Sequence, residues 1–184
     1  MSKFPVAPAS RQDIWKLVRN IRNNLGVEKK LYFDIVHFLE KVMPKIFPNF
    51  VLEICSEEEM GENHGETIPS EYKICIREDV YIGACKGKGR DRLTLAHEVG
   101  HFFMHDEGTI IYCRLAPNTK LPKFIDPDWQ ADVFAGELLA PSYLINGMDA
   151  QEVHKKCEVS MPCAERQLYA IVCEKKKGFE ITPA

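Results

Sequence analysis

At 184 residues, with 45% hydrophobic and 28% charged positions, the chain has an ordinary globular composition and enough length for one core. Its formal charge of −3 gives no general case for nucleic-acid binding, and no apolar run nears the roughly 18 residues of a membrane span. Seven cysteines, an odd number with no C-x-x-C pair, speak against a disulfide framework or a thiolate zinc site and for reduced, mostly buried thiols in a cytoplasmic protein.

Met1 to Ala9 reads as a flexible lead, too broken by proline for a signal-peptide core. Ser10 is the expected N-cap of a helix in which Ile14, Leu17, Val18, Ile21 and Leu25 recur at helical spacing, closed by Gly26. Leu31, Ile35, Phe38, Leu39 and Val42 predict a second amphipathic helix that stops before Pro44, with His37 an ordinary residue on its face. Phe50 to Ile54 reads as a short strand. The acidic run Ser56 to Glu66, with Gly61, His64 and Gly65, reads as a solvated loop. Glu71 to Arg77 and Val80 to Cys85 alternate as strands do, with Tyr72, Ile74 and Ile76 on one face, and Arg77-Glu78-Asp79 suits a tight hairpin between them. Lys86-Gly87-Lys88-Gly89-Arg90 lacks the hydroxyl residue of a phosphate loop and serves as a connector, with Asp91 the expected N-cap of the next helix.

That helix holds Leu93-Thr94-Leu95-Ala96-His97-Glu98-Val99-Gly100-His101-Phe102-Phe103-Met104-His105, and within it the pattern H-E-x-x-H. Residues four apart on a helix share a face, so His97 and His101 can direct two imidazoles at one ion. Glu98 lies about 100° round the helix and flanks the ion, where a general base can hold a water. The surround is apolar, and buried imidazoles need a partner, which a divalent cation supplies to both at once.

Asp106-Glu107-Gly108 should end this helix, Thr109 to Leu115 extend, and Ala116 to Asp126, with Pro117 and Pro122, run irregularly. Pro127 then opens a helix from Asp128 to Leu139, ended by Pro141. A catalytic zinc needs three protein ligands and a solvent position, so two histidines fall one short. Asp128 and Asp132, one turn apart, offer the third: one carboxylate can bind the ion while the other accepts a hydrogen from a ligand imidazole. Gln151 to Cys157, a turn at Ser160 and a helix through Leu168 have a helix-turn-helix outline, here read as a packing unit. Lys175-Lys176-Lys177 suits a solvated helix end. His154, Tyr143, Arg166 and Tyr169 are candidates to stabilise an oxyanion.

The block Arg92 to His105, followed by Asp128 to Pro141, strongly resembles the ImmA/IrrE family of metallopeptidases, and the Val159-Ser160 turn with Arg166 and Leu168 is similar to that family's C-terminal helices. The likeness covers about residues 70–172. It implies an α+β fold: a compact zincin-like domain with N-terminal helices, a small twisted sheet, an active-site helix and C-terminal helices. Residues 1–49 would form the N-terminal helical segment, 50–145 the catalytic core, and 146–184 a helical segment packed on the same domain. Carried over by position, His97 and His101 match the zinc ligands and Glu98 the catalytic glutamate. Asp128 matches the position of a glutamate ligand and Asp132 that of an Asn or Asp one turn on. Asp128 is one methylene shorter than the family's glutamate, so either the helix approaches by about 1 Å or the ion is held less well, and Asp132 is the alternative third ligand. The implied activity is cytoplasmic, zinc-dependent cleavage of a helix-turn-helix repressor in bacteria, serving phage, mobile-element or stress-response genes. The alternative is a non-catalytic antirepressor that sequesters a transcription factor.

Overall fold

The computed structural model describes residues 4–105 and 121–182. The expectations for Asp106 to Gly108, for Thr109 to Leu115 and for the start of the excursion at Ala116 lie outside the described residues.

Helix α1 (Arg11–Asn24) begins at Ser10, whose hydroxyl accepts from Asp13 N while its own N–H donates to the Asp13 carboxylate, a reciprocal cap. Its apolar face buries Ile14, Trp15 and Val18. Gly26, at φ +67°, takes the left-handed conformation that releases the chain. The segment before α1 is a correction to the flexible lead: Val6 is buried, Val6 N donates to Ile125 O at 3.1 Å and Ala9 N to Phe124 O at 2.9 Å. Two backbone bonds and one buried side chain are enough to pin an extended strip to the body.

The second helical stretch also departs from expectation. It runs α2 (Ile35–His37), a wide π-type turn over Phe38–Val42, then α3 (Met43–Ile46). Pro44 therefore stands at the start of a new turn rather than beyond the end, a position where its missing N–H is harmless.

Strands β1 (Val51–Cys55), β2 (Gly65–Ile68) and β3 (Lys73–Arg77) form a sheet in the order β1-β3-β2. β1 runs parallel to β3, with Glu53 opposite Cys75, and β2 runs antiparallel to it, with Thr67 opposite Ile74 and Gly65 opposite Ile76. Ile74 and Ile76 are fully buried, so that face carries Thr67 and Gly65 inward with them. Tyr72 is not their companion; it sits at φ +53° and is exposed. The acidic run is not one loop: Ser56 caps α4 (Glu57–Met60), and its end becomes β2.

Val80 to Cys85, expected as a strand, is part of helix α5 (Glu78–Cys85). Glu78 and Asp79 place negative charge in its first turn, and Arg77 holds Asp79 at 2.7 and 3.1 Å. A six-residue apolar run is too short for its period to decide between helix and strand. Helix α6 (Gly89–Met104) comes next. Asp91 lies inside its first turn rather than at its cap, and its carboxylate fills the space that a Cβ on Gly83 would occupy. Helices α7 (Pro127–Leu139), α8 (Ser142–Ile145), α9 (Ala150–Cys157) and α10 (Met161–Lys176) complete the described chain. Asp126 caps α7 by accepting from Asp128 N and Trp129 N, and Pro127 occupies its first position.

The core lies where α7 and the sheet close on α6, with α1 packed on α7. Leu95, Ala96 and Val99 of α6 are fully buried, as are Phe134, Leu138 and Leu139 of α7. Each large side chain contributes about 2 kcal/mol by leaving water. This packing makes α6 a rigid platform, the condition for holding side chains at fixed distances.

Candidate metal centre

The site is set by how closely two helices cross. A Cβ on Gly100 would lie 3.0 Å from the Cα of Ala131, so α6 and α7 touch there through two small residues. Each helix then presents side chains a turn before and just after the contact: His97 and His101 on α6, Asp128 and Asp132 on α7. His97 Nδ1 meets Asp132 Oδ1 at 3.0 Å, and His101 Nε2 lies 3.7 Å from Asp128 Oδ1. The pairing runs in opposite senses along the two helices.

One ligand atom each from His97, His101 and Asp128 lie within 4.8 Å of one another. The two Nε2 atoms are 3.0 Å apart. Two nitrogens bound at about 2.0–2.1 Å in a tetrahedral shell sit about 3.3 Å from each other, so the spacing fits one small cation. Two imidazoles and a carboxylate are also the donor set that leaves a zinc coordination position for solvent. Asp132 plays a different part: its second oxygen takes Arg166 at 3.1 Å, so it links α10 to His97.

Glu98 is 6% exposed. Its Oε2 accepts the Thr67 hydroxyl at 2.7 Å, and a Cβ on Gly65 would come 2.7 Å from its Cγ. Glycine is therefore required where β2 passes over the glutamate. Burial pushes the Glu98 carboxyl above the usual range, against the Thr67 hydrogen bond and His97. Burial drives His101 down to about 3, helped by His97 and His105. Burial also works on His97, but Asp132, Glu98 and Asp128 outweigh it and leave that imidazole raised. Asp132 is held below its ordinary value, because His97 and Arg166 overcome the effect of burial.

The five residues singled out in the sequence thus come together. Of the side chains considered for an oxyanion, Arg166 touches the site through Asp132. Tyr143 donates to Glu28 O at 3.0 Å, His154 bonds Val159 O at 2.5 Å, and Tyr169 is 71% exposed. Three further residues escape the sequence reading: Thr67, His105 and Gln130. His105 carries a signal, since it extends the His97–His101 spacing by another four residues; Thr67 and Gln130 carry none. A second group, Glu53, Cys55 and Cys75, also has ligand atoms within 4.8 Å on the sheet. There Lys73 already pairs with Glu53 at 3.3 Å, and burial pushes the Cys75 thiol up to about 12. Of the two groups, the one on α6 and α7 has the donors of a catalytic cation site.

A small mixed sheet, a metal-type helix under its edge strand and a carboxylate from a crossing helix define an α+β domain of the metallopeptidase class. The family model of the IrrE N-terminal-like domain, Peptidase M78, matches residues 50–166, and the chain belongs to that family. The match begins at β1, well before the stretch that carries the resemblance in the sequence. No curated protein matches the chain. No helix of the described residues is long and apolar enough to cross a membrane.

Proposed function

We propose that the protein is a zinc-dependent endopeptidase that cleaves a helix-turn-helix repressor in the bacterial cytoplasm, releasing phage, mobile-element or stress-response genes. The observation that carries the hydrolase reading is the convergence of His97, His101 and Asp128 within 4.8 Å, with buried Glu98 beside them. Zinc held there would supply Lewis acidity, lowering the pKa of water toward about 7 and polarising a scissile carbonyl. Glu98 takes the proton of the attacking water and returns it to the leaving amine. Its raised carboxyl suits that work, since a general base is most effective when its pKa approaches the operating pH. Thr67 fixes one carboxylate oxygen and so orients the other. Among the described residues β2 pairs only with β3, which leaves a strand edge beside Glu98 where an extended peptide can add by backbone hydrogen bonds. The substrate class rests on the resemblance of the two site blocks to the family.

The test is to incubate the purified protein with a helix-turn-helix protein encoded beside its gene, with zinc or with chelator, and with Glu98→Gln in parallel. Discrete fragments should form with zinc and wild-type protein alone. If Glu98→Gln displaces the repressor from DNA as well as the wild type does, with no fragments from either, the antirepressor reading replaces the peptidase.

A further inference from the structure

Behind His101 runs a chain of hydrogen bonds whose direction is decided at its far end. Gln130 is 1% exposed, and its Nε2 donates to Ala7 O at 2.9 Å and Phe124 O at 2.8 Å. Both amide hydrogens are thus committed to backbone carbonyls, and a flipped amide would set its oxygen against two others. Gln130 Oε1 therefore faces His105 Nε2, 3.0 Å away, and the imidazole must supply the hydrogen. His105 is 7% exposed, and its described partners are an imidazole and an amide. Neutral His105 with hydrogen on Nε2 keeps a lone pair on Nδ1. That atom lies 2.9 Å from His101 Nδ1, which must then carry the hydrogen. The remaining nitrogen of His101, Nε2, is left with its lone pair toward the cation site.

We infer that Gln130 and His105 are positioning residues that lock His101 in the Nδ1–H tautomer, so that the N-terminal strip at Ala7 is wired to the metal centre. His97 is set the same way from the other side, because the Asp132 carboxylate can only accept from its Nδ1. The two Nε2 atoms then face each other across 3.0 Å, and a cation between them, or a proton on one of them, relieves the facing lone pairs. The inference rests on the metal reading of this site, yet the tautomer can be read without metal or substrate.

The experiment is a nitrogen-15 NMR spectrum of the imidazoles in the full-length, metal-free protein, with zinc affinity measured separately by competition against a chelator. His101 should show its hydrogen on Nδ1 in the wild type. In His105→Phe it should move toward Nε2–H, and zinc should bind about 10–100-fold more weakly, measured well below the melting temperature of the metal-free variant, which loses stability because Gln130 Oε1 is left without its donor. Hydrogen on His101 Nε2 in the wild type overturns the inference, and so does unaltered zinc affinity in the variant. The wild-type spectrum decides by itself should His105→Phe fail to fold. Absence of zinc binding by the wild type would sink the metalloenzyme reading and leave the tautomer result standing on its own.

Discussion

Helix α7 carries two polar clusters, and they differ in how their hydrogen bonds end. At its C-terminal end Glu137 is wholly buried, yet Ser142 N–H lies 3.0 Å from each of its oxygens and the Ser142 hydroxyl donates to one at 2.9 Å. Neighbouring Arg22, also fully buried, donates to Leu138 O at 2.6 Å, to Val27 O at 3.2 Å and to Lys30 O, and reaches Tyr143 OH at 3.3 Å. Each bond there ends on a partner inside the knot. At the N-terminal end, Asp132 and the His105–Gln130 chain also satisfy one side of each histidine, but they do so by turning acceptors toward a common point. Burial and a displaced pKa occur in both clusters, so neither marks function by itself. What separates them is whether acceptors converge with nothing of the described residues between them.

The sharpest test of that distinction removes a proton acceptor and leaves everything else. Glu98→Gln keeps the shape and the Thr67 contact but cannot take a proton. Peptide cleavage should fall about a thousandfold or more, on the order of 4 kcal/mol in barrier. Zinc affinity and melting temperature should hold. Next comes a reciprocal pair. His101→Ala should weaken zinc binding by at least about 100-fold, roughly 3 kcal/mol, while costing the metal-free protein only about 1 kcal/mol for the partner it leaves behind. Glu137→Ala should do the opposite, removing about 3 kcal/mol of stability in urea titrations because Ser142 loses its acceptors in a closed cavity, with zinc affinity unchanged. Equal effects of the two variants on both measurements would erase the division between a site and a structural knot.

A smaller effect is expected at the crossing itself. Gly100→Ala places a methyl 3.0 Å from Ala131 Cα, so α6 and α7 must part by a few tenths of an ångström. Alanine's better helix propensity, about 1 kcal/mol over glycine, should offset the strain in overall stability. The ligands have no such compensation, and zinc affinity should drop about tenfold in the same competition titration. Unchanged affinity would mean that the close crossing does not set the ligand spacing.

How much of this was open to reading in the chain depends on distance along it. His97, Glu98 and His101 are legible because their geometry belongs to one helix, and the Asp126–Pro127 start of α7 is legible because caps are local. The pairing of Asp128 and Asp132 with particular histidines is half legible: the residues announce themselves, but that Asp132 is shared between His97 and Arg166 depends on α10, far along the chain. Thr67 and Gln130 are mute in sequence because their roles come from elements far away, β2 over α6 and the strip at Ala7. The same reason hides the N-terminal strip, where Phe4 to Ala9 has composition suited to a loose end and is held by bonds to Phe124 and Ile125. Val80 to Cys85 misleads for a different cause: its side chains suit either period, and the acidic first turn with Arg77 tips it to helix.

The closed knot makes one further prediction, the smallest in size and the most specific in sign. Burial pushes Glu137 up to about 8, opposed by the Ser142 hydrogen bonds and by Arg22 and Arg11. An unfolded glutamate ionises near about 4.3. Between those values the folded chain holds a proton that the unfolded chain has released, so raising the pH favours unfolding. The contribution is fully present below the unfolded pKa, declines through neutral pH and levels off above about 8. Stability measured with chelator present, so that metal linkage is absent, should show this as a difference between wild type and Glu137→Gln that falls with pH at a slope bounded by one proton. A difference that instead rises with pH would mean that Glu137 is ionised in its pocket, a buried charge of the kind expected at a working site, and the contrast between the two ends of α7 would lose its structural member.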